Sequence, residues 1–266
     1  MTRVLFLGDI VGRNARTAVI ESLPALREEL DLDFIVVNCE NSAGGFGVTP
    51  KICDSLLAAG ADVLTTGNHV WDKSEIIDYI ATQPRLLRPL NFAEGAPGNG
   101  IAKVTNERGK RLIAINVITN LFMASNDPVF AALDGALVRH KLGRDADFIM
   151  VDAHGEATSE KMALGHLADG RASMFVGTHT HVPTADHRIL AGGTAYQTDT
   201  GMCGDYDSVI GMEKKGAADR FRGRSGSRLS VAMGPVSLCG LFVEATEKGL
   251  AETIEPLRRG GVLKPA

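Results

Sequence analysis

Apolar runs rich in Val, Ile, Leu and Phe recur along the chain, and five of them end directly at polar residues. Short continuous runs of this kind are typical of strands buried on both faces, as in parallel sheets. The residues at their ends belong to the types that bind metal ions. The runs cover residues 4–8, 34–39, 63–67, 148–153 and 174–178, and the polar residues after them are Asp9, Glu40 and Asn41, Asn68 and His69, His154, and His179 and His181.

The position of these polar residues predicts a common site. In open α/β sheets, ligands bind in the crevice outside the carboxyl ends of the strands. We therefore expect two carboxylates, two carboxamides and four imidazoles to lie at one edge of one sheet. Such a set is large enough to hold two metal ions.

Helices are predicted between the runs from capping residues and from the positions of proline and glycine. Asn14 is expected to cap the first helix, and Pro24 to kink or break it. The predicted helices cover residues 15–30, a segment opened by Thr49 and Pro50 and stopped by Gly60, a segment from Ser74 to before Pro84, and residues 127–142 and 158–167.

The remaining strands are predicted from turn residues between apolar segments. Hairpins are expected over residues 101–117 and around residues 191–194, and closing strands over residues 236–245 and 251–254. Strands that alternate with helices, followed by a strand-rich tail, predict an α/β fold with a mixed sheet or two packed sheets.

Length and charge exclude some classes of function. The 266 residues are 44% hydrophobic and 23% charged, as in an ordinary globular protein with a large core. A net charge of −4 and a pI near 6.0 argue against electrostatic binding to extended nucleic acid or to an anionic membrane. A small phosphate ester held by a metal is compatible with this charge. No stretch approaches the roughly 20 apolar residues of a membrane span.

Cysteine usage indicates the compartment. Cys39, Cys53, Cys203 and Cys239 show no paired spacing, so reduced thiols are expected rather than disulfides. The first residues pass directly into an apolar run, which leaves no room for a signal peptide. We therefore expect a soluble cytoplasmic protein.

Several candidate ligands also have a structural alternative. Asp9 could instead cap the helix after it. Glu40 follows a core run and needs a partner, either a cation or a buried arginine, and its two oxygens make it the natural bridge between two ions. His69 is adjacent to Asn68 and points elsewhere, so the two are expected to have different roles.

The histidine pattern and the donor types refine the expectation. His179 and His181 have the period-two spacing that places both imidazoles on one side of an extended segment. His140, His166 and His187 are interpreted as ordinary surface or core residues, and the side chain of Cys39 is expected to face the core. Nitrogen and oxygen donors without thiolate disfavour a structural zinc site and favour Mn²⁺ or Fe, with Zn²⁺ or Mg²⁺ as alternatives.

In combination, these motifs resemble those of the calcineurin-like metallophosphoesterases, most closely of a YmdB-like bacterial branch. The matching segments are Gly-Asp-Ile-Val-Gly-Arg at 8–13, Glu-Asn at 40–41, Gly-Asn-His-x-Trp-Asp at 67–72, Asp-x-His at 152–154, Gly-Thr-His-Thr-His-Val at 177–182, and residues 198–212. The resemblance covers nearly the whole chain. Two features depart from the wider superfamily: the usual Asp-x-His is Asp9-Ile10-Val11 here, and Glu40 replaces the usual bridging Asp.

Length and composition predict a single domain over residues 1–266. The resemblance implies that this domain is a four-layer sandwich of two mixed β-sheets flanked by helices. It also implies two divalent transition-metal ions and a homo-oligomer. The ligands it implies for one ion are Asp9, Glu40, Asn41 and His181, and for the other Glu40, Asn68, His154 and His179.

The function implied is that of a phosphodiesterase of 2′,3′-cyclic or 3′,5′-cyclic nucleotides. Two ions can lower the pKa of a shared water and align it for attack at phosphorus, and His69 is the candidate general acid for the leaving alkoxide. Two other classes stay open: a regulatory protein that binds a nucleotide or an RNA-linked partner with little turnover, and a dinuclear hydrolase of a non-phosphate ester or amide.

Weaker signals lie near these motifs. The glycines of residues 44–47 favour a flexible turn over a phosphate cradle, because their spacing departs from the dinucleotide-binding pattern. Arg13 and Asn14 could contact a substrate phosphate or merely start a helix. The basic run of Arg220, Arg222, Arg224 and Arg228 favours a solvated mobile loop over a nucleotide or RNA contact.

Overall fold

The computed structural model describes residues 1–124, 126–224 and 228–266. Its strands are β1 (Thr2–Leu7), β2 (Asp9–Ile10), β3 (Phe34–Asn38), β4 (Val63–Thr65), β5 (Ile101–Thr105), β6 (Arg111–Ile118), β7 (Phe148–His154), β8 (Met174–Thr178), β9 (Arg188–Ile189), β10 (Ala195–Gln197), β11 (Met202–Asp205), β12 (Val236–Ala245) and β13 (Ala251–Gly260). Its helices are α1 (Gly12–Glu29), α2 (Pro50–Ala58), α3 (Ile76–Thr82), α4 (Val129–Arg139), α5 (Thr158–Ala168) and α6 (Lys214–Phe221).

The strands form two mixed sheets. The first has the order β2-β11-β12-β1-β3-β4, with β13 paired to β12. Within it, β1, β3 and β4 are parallel neighbours, and β12 is antiparallel to β1. The second sheet has the order β5-β6-β7-β8-β10-β9, in which β6, β7, β8 and β10 are parallel.

The apolar runs are continuous because both faces of their strands are buried. In β1, Val4 and Phe6 point into the core between the two sheets, whereas Leu5 and Leu7 point to the outer core under α1 and α2. Successive side chains of a strand face opposite sides, so a strand with two covered faces must be apolar at every position.

Helices cover the outer face of each sheet. Val19 of α1 and Leu56 of α2 pack on the first sheet, and Leu133 of α4 and Leu164 of α5 pack on the second. The order helix, sheet, sheet, helix is the predicted four-layer sandwich, and that prediction is confirmed.

The prediction that all five runs lie in one sheet is wrong. Three runs form β1, β3 and β4 of the first sheet, and the other two form β7 and β8 of the second. Burial on both faces shows that a strand is central, but it does not identify the neighbouring strand. The carboxyl ends of both groups nevertheless meet at one crevice between the sheets.

The first helix differs from the prediction at its start. Helix α1 begins at Gly12, and its cap residue Val11 makes no side-chain capping bond. Asn14 therefore does not cap it, and its Nδ2 instead donates to Met233 O at 3.0 Å. Pro24 lies inside α1 without ending it.

Other boundaries agree more closely. The Thr49 hydroxyl accepts a hydrogen bond from Ile52 N at 3.4 Å, which confirms the predicted cap of α2. Helix α3 begins two residues after Ser74, α4 is shorter than predicted at both ends, and β13 continues to Gly260 because it pairs along β12. Both predicted hairpins are present, as β5–β6 and β9–β10.

The four cysteines are buried free thiols. Cys39 packs with Cys53 in the outer core of the first sheet, as expected from its alternation with Glu40. Among the helices that the described residues form, none combines the length and apolar character needed to cross a bilayer.

Candidate active site

The polar residues that follow the five runs meet in the crevice between the two sheets. Glu40, His154 and His179 each offer a ligand atom, and these atoms lie within 4.8 Å of one another. The carboxamide oxygen of Asn68 lies 2.9 Å from His154 Nε2. Asp9 Oδ2 accepts a hydrogen bond from the backbone N–H of His179 at 3.2 Å. The predicted residues are therefore brought together, although they come from different sheets.

Two carboxylates are fully buried in this crevice. Burial raises the pKa of Asp9, which opposes its ionisation. Burial would also raise the pKa of Glu40, but the adjacent His154 outweighs it and lowers the value to about 2. Glu40 is therefore ionised at neutral pH, and a buried carboxylate needs positive charge nearby.

His154 supplies that charge when no metal is bound. Its Nε2 lies 3.1 Å from Glu40 Oε1. Burial would lower the pKa of His154, but the charges of Glu40 and Asp9 raise it to about 9. A divalent cation among the carboxylates would take the place of this proton, because a histidine ligand must be neutral.

A hydrogen-bonded chain fixes the orientation of His154. The Thr178 hydroxyl donates to Asp152 Oδ1 at 2.7 Å, so it accepts from His154 Nδ1 at 2.9 Å. This leaves Nε2 facing the crevice, in the arrangement typical of metal-ligating histidines.

The other two imidazoles also use one nitrogen for the protein and direct the other inward. His181 Nδ1 donates to Ile210 O at 2.8 Å, while its Nε2 lies 3.2 Å from Asn41 Nδ2. His179 Nδ1 lies 3.1 Å from His154 Nε2, and its Nε2 lies 3.4 Å from the Glu156 carboxylate.

His179 is held neutral by its surroundings. Burial and the adjacent His154 lower the pKa of His179 to about 3. A neutral imidazole has a lone pair free for a cation, so His179 is ready to act as a ligand without losing a proton.

The segment that carries His179 and His181 is not extended, contrary to the prediction. Strand β8 ends at Thr178, and the two histidines have φ values of 98° and 64°. Left-handed backbone at non-glycine residues is strained and persists where surrounding bonds enforce it. Both imidazoles reach the crevice from a tight turn rather than from one face of a strand.

A buried ion pair that was not predicted from the sequence holds this turn. Asp199 Oδ2 accepts hydrogen bonds from Thr180 N at 3.1 Å and from Lys161 Nζ at 2.9 Å. Lys161 Nζ also donates to Thr178 O at 2.7 Å. Lys161 and Asp199 lie far apart along the sequence, so no local pattern links them.

Asp152 is a third buried residue without a predicted role. It is fully buried, and burial raises its pKa to about 6. Besides Thr178 in the second sheet, it accepts hydrogen bonds from Thr65 Oγ1 and Asn38 Nδ2 in the first. Asp152 therefore joins the sheets directly beneath the crevice. In the sequence, Asp152 stands out because it is a charged residue inside an apolar run.

The donors fit a metal ion. Asp9 Oδ1 and Asn41 Oδ1 are buried, and neither has a hydrogen-bond partner among the described residues. Unpaired buried oxygens are costly, and coordination to a bound cation would supply the missing partner. The donors are oxygen and imidazole nitrogen, which suits the metals predicted above, while the identity of the metal stays a prediction.

His69 lies beside the crevice but outside the ligand cluster. Its Nδ1 lies 2.8 Å from Asp72 Oδ2, and its ring packs edge-on against Phe46 with 5.0 Å between centroids. A Cβ on residue 67 would clash with the His154 ring, so only glycine lets the backbone before Asn68 lie this close to His154. His69 and Asn68 thus diverge, as expected from their adjacency.

The weaker candidates show ordinary contacts. Residues 44–47 form a turn with three left-handed glycines, closed by a hydrogen bond from Ala43 N to Gly47 O at 2.9 Å. Arg13 is exposed, and Arg224 Nη1 lies 2.8 Å from Asp219 Oδ1. Of the basic run predicted as a loop, Arg220 lies in α6, and Ser225, Gly226 and Ser227 lie outside the described residues. His166 and His187 are exposed, and His140 is half-buried.

Comparison with known proteins decides the family. The family described as YmdB-like protein matches residues 5–257. This chain belongs to the YmdB-like family. It is 45% identical over 246 residues to the 2′,3′-cyclic-nucleotide 2′-phosphodiesterase of Bacillus subtilis, an alignment that covers 92% of both chains.

Solved structures of similar proteins agree with the fold. A hypothetical protein from Thermus thermophilus superposes with a TM-score of 0.90 at 38% identity, covering 98% of this chain and 100% of that one. A phosphatase from Mycoplasma pneumoniae superposes with a TM-score of 0.89 at 31% identity, covering 97% and 93%. The predicted family, the two-sheet sandwich and the class of enzyme, a phosphoric ester hydrolase, are confirmed.

Proposed function

We propose that this enzyme is a dinuclear-metal phosphodiesterase of cyclic nucleotides, with 2′,3′-cyclic monophosphates as its principal substrates. The observation that carries the proposal is the convergence of two buried carboxylates with three imidazoles that each direct a nitrogen inward. The choice of 2′,3′-cyclic substrates is supported by the Bacillus subtilis relative, which is named for that activity. Hydrolysis of 3′,5′-cyclic monophosphates is the second activity to test.

The ligands are proposed as two overlapping sets around Glu40. Asn41 Nδ2 lies 3.3 Å from Glu40 Oε1 and 3.2 Å from His181 Nε2, which supports a first set near these residues. Asn68 and His179 both approach His154 Nε2, which supports a second. The first set is Asp9, Glu40, Asn41 and His181, and the second is Glu40, Asn68, His154 and His179.

Two divalent ions held there would stabilise charge on the phosphoryl oxygens and acidify the attacking water. The chain itself supplies the proton for the leaving oxygen. With Nδ1 of His69 engaged by Asp72, Nε2 is the nitrogen left to donate that proton. Phe46 packs against the ring and restricts its rotation.

The first test is turnover of bis(p-nitrophenyl) phosphate, followed by a panel of 2′,3′-cyclic and 3′,5′-cyclic nucleotides. We expect hydrolysis of 2′,3′-cyclic monophosphates at the 2′ ester, which leaves a 3′-monophosphate. Turnover of carboxylic esters alone would contradict the proposal. A metal-loaded protein that binds nucleotides but hydrolyses none of these compounds would support the regulatory alternative instead.

The second test separates proton donation from metal binding. In His69→Ala, both ions should remain, and turnover of a cyclic nucleotide should fall by about 10²–10⁴-fold. The loss should be smaller for a p-nitrophenyl ester, because its phenolate departs with little protonation. His166→Ala, on the exposed side of α5, is the matched control. Equal losses on both substrates together with loss of metal would make His69 a ligand.

A further inference from the structure

An open pocket of about 540 Å³ shares His181 with the candidate active site. Its volume falls within the roughly 300–1,000 Å³ of small-molecule sites. Its walls are largely apolar, as such sites usually are. The apolar residues that line it are Val182, Pro183, Met202, Val209, Ile210 and Leu263.

Two cations line the same pocket. Arg258 is half-buried, and its Nε is buried without a hydrogen-bond partner among the described residues. Lys264 lies on the exposed tail beyond β13. The adjacent Arg259 differs, because its guanidinium is paired with Glu29 on the other side of the strand.

The other polar groups of the pocket are engaged within the protein. The Tyr206 hydroxyl accepts a hydrogen bond from Met202 N at 2.8 Å, and Ser208 Oγ accepts one from Gly211 N at 2.8 Å. The positive charge at Arg258 and Lys264 is therefore the chemistry that the pocket offers to a ligand.

Ile210 connects the pocket to the active site. Its carbonyl accepts the hydrogen bond of His181 Nδ1 at 2.8 Å, and its half-exposed side chain lines the pocket. Ile210 has a φ of 47°, a strained value for a β-branched residue. Strain of this kind is concentrated at functional sites, where neighbouring bonds enforce it.

We propose that this pocket binds the nucleoside part of the substrate and a further phosphate on its 5′ oxygen. The inference rests on the proposed function, with the cyclic phosphate at the metal ligands. The apolar walls suit a base and a ribose, and guanidinium is the side chain that best matches the geometry of a phosphate. The preferred substrate is then a 5′-phosphorylated nucleoside 2′,3′-cyclic phosphate rather than a cyclic nucleotide with a free 5′ hydroxyl.

The test compares adenosine 2′,3′-cyclic phosphate with and without a 5′-phosphate. We expect the wild type to prefer the 5′-phosphorylated compound by about tenfold or more through a lower KM, the effect of one charge-assisted hydrogen bond. Arg258→Gln should abolish this preference by raising KM for the 5′-phosphorylated compound to that of the compound with a free 5′ hydroxyl. Arg259→Gln is the matched control and should keep the preference.

Lys264→Gln should weaken the preference as well. Because Lys264 is exposed, this variant is expected to fold even if Arg258→Gln does not. Hydrolysis of both cyclic compounds at equal efficiency by the wild type would overturn the inference and leave the proposed function intact. An equal preference for the 5′-phosphorylated compound in the folded Arg258→Gln and Arg259→Gln variants would overturn it too.

Failure of the proposed function would have a different signature, since neither cyclic compound would be hydrolysed. Calorimetric binding of adenosine 5′-monophosphate then tests the pocket without turnover. Weaker binding to Arg258→Gln than to Arg259→Gln would support the pocket as a nucleotide site, and equal binding would overturn it.

Discussion

The first sheet contributes oxygen donors to the candidate active site, whereas the second sheet contributes imidazoles. The ends of β1, β3 and β4 lead to carboxylates and carboxamides, and the ends of β7 and β8 lead to histidines. The first group is Asp9, Glu40, Asn41 and Asn68, and the second is His154, His179 and His181.

This difference shows how the two halves depend on each other. We call the donors from the first sheet the oxygen side and those from the second sheet the imidazole side. The oxygen side carries full negative charge on Glu40, which is completely buried. The second sheet balances this charge with a proton on His154, whose pKa is raised to about 9 by the charges of Glu40 and Asp9. A bound cation would balance the charge of Glu40 directly and would let His154 become neutral, so the proton on His154 takes the place of the cation in the metal-free site.

The largest expected effect comes from removing charge on the oxygen side. Glu40→Gln keeps the size of the side chain but removes the proposed bridge, so the metal content should fall from about two ions to one per chain. Turnover should fall by more than about 100-fold, since loss of an outer-shell partner alone costs roughly 10–100-fold. Elemental analysis and kcat measure both, with the exposed Glu255→Gln as control. Near-wild-type activity and metal content would contradict the bridging assignment.

The imidazole side can be weakened without touching a ligand. Thr178→Val preserves shape but removes the hydroxyl between His154 and Asp152. We expect about 10–100-fold weaker metal affinity and near-normal kcat at saturating metal, because the ligands themselves remain. Metal titrations of this variant and of Thr105→Val, at the exposed end of β5, provide the comparison. An unchanged affinity would mean that the chain from Asp152 does not orient His154.

The two sides should also respond differently to pH. Glu40, with a pKa of about 2, stays ionised at neutral pH, whereas His154 must lose a proton to bind metal. Apparent Mn²⁺ affinity should therefore rise by about tenfold per pH unit between pH 7 and 8.5. Calorimetry in buffers of different ionisation enthalpy should detect the released proton. A flat affinity over this range would mean that His154 is already neutral.

The stability of the metal-free protein follows the same titration with a defined sign. The folded-state pKa of His154 is raised above its ordinary value of 6.5 to about 9. Its contribution to the free energy of unfolding is thus fully present below pH 6.5 and is lost as the pH rises through about 9. Thermal melts in the presence of a chelator should show this loss, and saturating metal should remove it.

The smallest effect is expected at the rim of the imidazole side. Glu156 lies 3.4 Å from His179 Nε2, but more than half of its side chain is exposed, and water can replace it there. Glu156→Gln should change kcat/KM by less than about threefold. A loss comparable to that of Thr178→Val would show that His179 also needs a charged partner to hold its orientation.

The strands of the site and the types of its ligands could be predicted from the sequence, but the residues that hold those ligands in place could not. Apolar runs ending at Asp9, Glu40 or His154 are local patterns, so they could be found without knowledge of the fold. The role of Asp152 and the pairing of Lys161 with Asp199 could not be predicted in this way, because they depend on partners that are distant in sequence, although Asp152 itself stands out as a charged residue inside an apolar run. The prediction for Asn14 was wrong because a local capping pattern is present but a distant partner overrides it, since its side chain donates to Met233 O instead.

The sequence by itself determined that polar donors stand at the ends of buried strands, and its motifs determined the family. Strand burial and donor chemistry are encoded in adjacent residues, where a period of two or an unbroken apolar run is visible directly. Only the tertiary structure decided that the donors come from two sheets, and that His179 and His181 reach the crevice from a left-handed turn. Strand neighbours and turn geometry are set by long-range pairing and by buried charges such as Asp199, which no local pattern encodes.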